Sequence, residues 1–121
     1  MYSEKRRFGN KGEDIACRFL EMNHFSILDR NFLKKQGEID IVAEKEGKIV
    51  FIEVKTISRE SGYRAEDNVH PEKLRRLGSV VEMYRGEKGV EDREWGFAVV
   101  VVELDDAAKI ARVKLLDDLV L

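Results

Sequence analysis

Apolar positions along the chain change their spacing from segment to segment, and each spacing predicts an element. Gly12, Ile15, Ala16, Phe19 and Leu20 recur at the interval of one buried helical stripe, predicting a helix from about Lys11 to Asn23. Asn10 is the expected cap, with Glu13 three positions later able to reach back to it. Phe25 to Leu28 reads as a short strand, followed by a polar, basic stretch through Gln36 and Gly37. Ile39 to Glu44 and Lys48 to Thr56 are β-prone runs separated by Glu46-Gly47, the composition of a two-residue hairpin turn. Pairing Lys45 with Lys48 sets Val42 opposite Phe51, Asp40 opposite Glu53 and Glu38 opposite Lys55. These share one face, and Ile39, Ile41, Ala43, Val50, Ile52 and Val54 form the other.

The stretch from Ile57 to His70 is polar and aperiodic and reads as a long loop. Pro71 suits a first helical turn, Leu74, Leu77, Val81 and Tyr84 follow at helical spacing, and Gly86 is the expected stop. Lys73 and Arg76 fall on a different side of that helix. Phe97 to Leu104 is continuously apolar and β-branched, as in a strand covered on both faces. The order strand, loop, helix, strand predicts that 97–104 runs parallel to the strand carrying Glu53 and Lys55. Lys109 to Leu115 reads as a final edge strand and Asp117 to Leu121 as a helical turn or tail.

Composition narrows the class. A chain of 121 residues, 43% hydrophobic and 38% charged, can bury one core, so a single domain over 1–121 is expected. Its longest apolar run, Phe97 to Val102, is far short of the roughly 20 residues of a membrane span, and the polar N-terminus lacks a signal-peptide core. No membrane association is expected. Cys17, the only cysteine, fits a reducing cytoplasm. The net charge of −2 argues against nucleic-acid binding by bulk positive charge, but the charge is uneven. Residues 1–85 carry 17 Lys/Arg against 15 Asp/Glu, and residues 86–121 carry 5 against 9. Arg6-Arg7, Lys34-Lys35, Arg59, Arg64, Lys73 and Arg75-Arg76 could line a phosphate track; a solvated charged surface is the plainer reading.

Carboxylates directly opposite on neighbouring strands lie about 5 Å apart, and at an effective dielectric of about 20 their repulsion is roughly 3 kcal/mol. A divalent cation removes it, and oxygen-only ligands favour Mg²⁺ or Mn²⁺. Lys55 projects from the same face as Glu53 and can orient or help deprotonate a water, or stabilise charge on a phosphate. The plainer alternative is a Glu38–Lys55 cross-strand ion pair with Asp40 and Glu53 splayed into solvent. His24 and His70 lack metal-ligand spacing, Cys17 reads as a small buried residue, and Trp95 and Phe97 read as packing residues. Tyr63, beside Arg64, is the aromatic placed to stack on an exposed base.

Gly12-Glu13-Asp14-Ile15-Ala16, Gly37-Glu38-Ile39-Asp40-Ile41-Val42 and Phe51-Ile52-Glu53-Val54-Lys55-Thr56 occur in an order and spacing that resemble the bacterial YraN-like family, over about residues 9–85. That family is similar to archaeal Holliday-junction resolvases and the PD-(D/E)xK nucleases. The resemblance implies an α/β, restriction-endonuclease-like three-layer core, a mixed sheet flanked by helices. It implies Asp40 and Glu53 as metal ligands, Lys55 as the catalytic lysine and Glu13 as a further acidic residue. Ile57 stands where the family commonly has Arg, Leu74 where relatives often carry Gln, and Ala98 where many have Asp; the loop before Pro71 is about one residue longer. These departures bear on substrate positioning.

The expected activity is Mg²⁺- or Mn²⁺-dependent phosphodiester hydrolysis by a DNA endonuclease, with branched or structured DNA as the substrate class the resemblance implies. Arg30, Lys34, Lys35, Arg59, Arg64, Lys73 and Arg76 are the expected backbone contacts. A homodimer is the expected assembly on a junction. The alternatives are an accessory protein that binds nucleic acid without cutting it, and a protein-interaction module docking through its acidic C-terminal third.

Overall fold

The structure, a computed structural model, describes residues 4–59 and 71–119. In order, α1 (Glu4–Met22), β1 (Ser26–Lys34), β2 (Gly37–Lys45), β3 (Lys48–Ser58), α2 (Pro71–Lys88), β4 (Trp95–Asp105) and β5 (Ile110–Leu119) make an α/β fold. The five strands lie side by side in chain order, every neighbouring pair antiparallel except β3 and β4. The parallel pair follows from the crossover through α2, as the chain pattern predicts.

Alternation along the central strands feeds two cores. Ala98, Val100 and Val102 of β4 pack with Ala16 and Leu20 of α1, whereas Phe97, Val99 and Val101 pack with Leu77, Val80, Val81 and Tyr84 of α2. The sheet is therefore the middle of three layers, compatible with a restriction-endonuclease-like core. Tyr84 also reaches an edge of the sheet, its hydroxyl donating to Asp29 of β1 at 2.6 Å. Burial and this contact raise the phenol's pKa well above its ordinary value.

Several boundaries differ from expectation. Helix α1 begins at Glu4, so Asn10 lies inside it and caps nothing, and Glu13 points to other partners. It ends in a Schellman motif: the Phe25 N–H donates to Leu20 O and that of His24 to Glu21 O, with exposed His24 at φ 70°. Helix α2 runs through Gly86 to Lys88, and the residue that stops it is Gly89 at φ 65°, again with both Schellman hydrogen bonds. Strand β1 reaches Lys34 rather than Leu28, because the basic stretch pairs with β2. Strand β5 continues through Leu119, which pairs with Phe97 of β4 beyond a register shift, so 117–119 are extended and form no helical turn. Cys17 is buried, and Trp95 packs edge-on against Phe51. Tyr63, Arg64 and His70 lie outside the described residues. Among the described residues no helix is long and apolar enough to cross a membrane.

Candidate functional site

The β2–β3 hairpin sets the site. At its turn Glu46 and Gly47 both have positive φ, 52° and 81°, the conformation of a two-residue hairpin turn. The ladder follows the expected register from Lys45–Lys48 to Ile41–Ile52. There it stops, and Asp40–Glu53 and Glu38–Lys55 do not form as cross-strand pairs. The Val54 N–H, which a continued ladder would direct at the β2 backbone, instead donates to Asp40 Oδ2 at 2.8 Å. A side chain has replaced a main-chain acceptor, and the strands part around it.

The expected face assignment fails at the same place, for a reason in β1. Arg30 pairs with Ile41 and Phe32 with Ile39, with Asn31 and Asp40 between. Asn31 adopts φ 54°, a left-handed conformation that Asn tolerates better than most residues. Across this step both strands switch faces. Ile41 packs toward α1, whereas Ile39 joins Val42 in the core under α2. The switch brings Glu38 and Asp40 to Glu13 of α1.

Helix α1 reaches them because residue 12 is glycine. A Cβ there would lie 1.8 Å from Thr56 Oγ1 and 2.8 Å from Thr56 Cβ, so only a bare backbone permits this approach to β3. Carboxylate oxygens of Glu13, Glu38 and Asp40 then lie within 4.8 Å of one another, a grouping that can hold a metal ion. Asn31 Nδ2 donates to Glu13 Oε1 at 2.9 Å and to Glu38 Oε1 at 3.1 Å. Arg30 adds an ion pair to Asp14 at 3.0 Å and a looser one to Glu13 at 3.7 Å. Burial, followed by the nearby carboxylates, pushes the Asp40 pKa up to about 8, against the lowering effect of the Val54 hydrogen bond.

Glu53 belongs to a second, differently balanced group. It is 8% exposed, and its Oε1 faces Lys55 at 3.5 Å and also contacts Lys73 of α2. Its Oε2 is buried with no hydrogen-bond partner among the described residues. Burial and the neighbouring Lys73 lower the Lys55 pKa. Burial works against the charged form of Lys73 too, but its contact with Glu53 wins and raises its pKa. The two groups adjoin, since the charge of Glu53 acts on Asp40 and that of Asp40 on Lys73. Partly buried carboxylates side by side, and a Glu53 oxygen with no partner among the described residues, are hard donors of the kind a divalent cation takes.

Of the residues expected at the site, Glu13 and Asp40 meet each other, and Glu53 and Lys55 meet each other. Glu38 and Asn31 are additions. Period-two alternation already placed Glu38 beside Asp40, but its expected partner was Lys55; nothing local in the sequence marks Asn31. Most expected backbone-contacting cations are engaged within the chain: Lys34 with Glu87 at 2.7 Å, Arg59 with Asp105 at 2.8 Å and Arg76 with Glu72 at 2.8 Å. Arg59, after a hydrogen bond from the Ala108 amide, keeps the Asp105 pKa below its ordinary value. Lys35 is exposed.

A three-layer α/β fold with a carboxylate-rich site at the open end of a hairpin is the class these observations define. The model of the uncharacterised protein family UPF0102 matches residues 12–104, spanning all the site residues named above, and the chain belongs to that family. It is 37% identical over 116 residues to a UPF0102 protein of Moorella thermoacetica, covering 96% of this chain and 97% of the relative. It is also 37% identical over 109 residues to one from Sulfurovum sp. (89% and 94% covered) and 44% identical over 77 residues to one from Campylobacter lari (64% and 67%).

Proposed function

We propose that this protein is a metal-dependent endonuclease that hydrolyses phosphodiester bonds of DNA in the cytoplasm. The observation that carries the reading is the convergence of Glu13, Asp40, Glu53 and Lys55, from three elements, at the point where the hairpin opens. Glu13, Asp40 and Glu53, with Glu38 behind Asp40, would hold Mg²⁺ or Mn²⁺; bound there, such an ion supplies a Lewis acid for the phosphodiester and acidifies water. Lys55 is buried enough for its ammonium to give up a proton more readily than usual, so it can exchange a proton with the attacking water. Asn31 and the Val54 amide fix the carboxylates in advance, and little reorganisation is left for the reaction. Branched or structured DNA is the proposed substrate class. On a four-way junction, with its paired cuts, the proposed active unit is a homodimer.

The test is cleavage of labelled single-strand, duplex, flap and four-way-junction DNA in Mg²⁺, Mn²⁺ or EDTA, with Lys55→Ala prepared identically. Cutting should require the cation and fall at least about 100-fold in the variant. A second reading, an accessory protein that binds nucleic acid without cutting, draws on the net charge of −2 and on Ile57, an apolar residue where the resemblance leads one to expect a phosphate-contacting Arg. Junction or flap DNA that is bound yet left whole in every cation would put this second reading first.

A further inference from the structure

We propose that Lys73 links the two occupants of the site: it is the counter-ion of Glu53 while the site is empty, and it moves to a phosphodiester oxyanion when one arrives. The inference rests on the reading of Glu53 as a cation ligand. Glu53 is buried, and a buried carboxylate needs a compensating charge. Two ammonium groups supply it through a single oxygen, Oε1, and Oε2 has no partner among the described residues. The two lysines differ in their freedom to leave. The Lys55 side chain is 20% exposed and sits on β3 itself, whereas that of Lys73 is 36% exposed and stands near the start of α2.

A dication on Glu53 with Lys73 still in place would set it and two ammonium groups around one carboxylate. The incoming cation therefore competes with Lys73. A phosphodiester offers Lys73 a charge-assisted partner of equal charge and so removes the competitor. Cation and phosphodiester then each favour the binding of the other, by the same factor in both directions.

Mn²⁺ binding, followed by electron paramagnetic resonance of the free ion, tests this without turnover. Wild type, Lys73→Met, Lys73→Gln, Lys73→Arg and Glu53→Gln are titrated with and without diethyl phosphate, a small and stable phosphodiester, at matched ionic strength. Lys73→Met and Lys73→Gln should bind Mn²⁺ about ten-fold more tightly than wild type and ignore diethyl phosphate. Wild type and Lys73→Arg should bind weakly alone and tighten several-fold when the diester is added. The half-exposed position of Lys73 makes its replacement compatible with folding, and circular dichroism on both neutral variants checks it. Equal Mn²⁺ affinity in wild type and both neutral variants, with weaker binding in Glu53→Gln, would overturn the coupling and leave the cation site standing. Mn²⁺ binding that Glu53→Gln does not alter would overturn the cation role of Glu53 and the coupling with it.

Discussion

The two ends of the β2–β3 hairpin are built from opposite solutions to one problem, the pairing of main-chain polar groups. At the turn, backbone meets backbone through five consecutive pairs, their side chains beyond Lys45, Lys48 and Glu44 are apolar, and Arg93 closes the corner on Glu44 and the Gly47 carbonyl. At the other end a carboxylate takes the Val54 amide, the strands part, and buried charge gathers around the gap. The closed end spends its residues on stability. The open end raises the Asp40 pKa to about 8 and leaves one Glu53 oxygen without a partner among the described residues, costs that a purely structural hairpin has no reason to carry.

Two glycines give this contrast its largest expected effect. Gly12 has no room for a methyl group beside Thr56, whereas a Cβ on Gly47 meets nothing within 4 Å and suffers only from the positive φ. Urea denaturation should show Gly12→Ala losing roughly 2–3 kcal/mol, since the atoms met include the branch carbon of Thr56 and no rotation clears them. Gly47→Ala should lose about 1 kcal/mol. Equal losses would mean that α1 can back away from β3 at little cost, and the argument that Gly12 delivers Glu13 to Asp40 would fail.

Asp40 sharpens the comparison through pH. Its folded pKa of about 8 lies above the ordinary carboxylate value, the reverse of a salt-bridged Asp. Between about pH 4 and pH 8 the folded protein therefore keeps a proton that the unfolded chain has released, and stability falls as pH rises through that window. Asp40→Asn removes this dependence and still accepts from Val54. Thermal melts should find the variant more stable than wild type by up to about 5 kcal/mol at pH 8, with the gap closing toward pH 4. Mn²⁺ should stabilise wild type and not the variant. A variant less stable than wild type at pH 8 would place Asp40 among the residues that support the fold.

How much of this was legible in the chain follows the same division. The turn, its register and the doubly covered β4 rest on local signals: Glu46-Gly47, alternation on either side of it, and an unbroken β-branched run. The three motifs carrying Glu13, Asp40, Glu53 and Lys55 were equally plain. What extrapolation missed lies at the open end, where alternation stops being a guide. Asn31 turns β1 over by a single left-handed residue, and Ile39 follows its partner Phe32 to the other face. Such a step depends on the backbone of a residue in the neighbouring strand, so alternation along β2 alone does not reveal it. Likewise the start of α1 at Glu4 carries no apolar stripe to announce it, and Glu13, freed from a capping role, is available to the site.

Arginines supply the smallest effect and the cleanest separation of the two ends. Arg93 at the turn bridges Glu44 and a carbonyl, both half-buried or exposed, so Arg93→Ala should cost up to about 1 kcal/mol and leave DNA affinity unchanged. Arg76, three residues beyond Lys73 on α2, holds among the described residues an exposed i,i+4 pair with Glu72, and Arg76→Ala should cost no more than about 0.5 kcal/mol. Its effect belongs in binding. If Arg76 exchanges Glu72 for a backbone phosphate, the dependence of log affinity on log salt loses about one unit of slope in the variant, uniformly across DNA sequences. Fluorescence anisotropy over a salt series reads both slopes. An unchanged slope for Arg76→Ala, or a reduced one for Arg93→Ala, would move the proposed nucleic-acid face away from the open end of the hairpin.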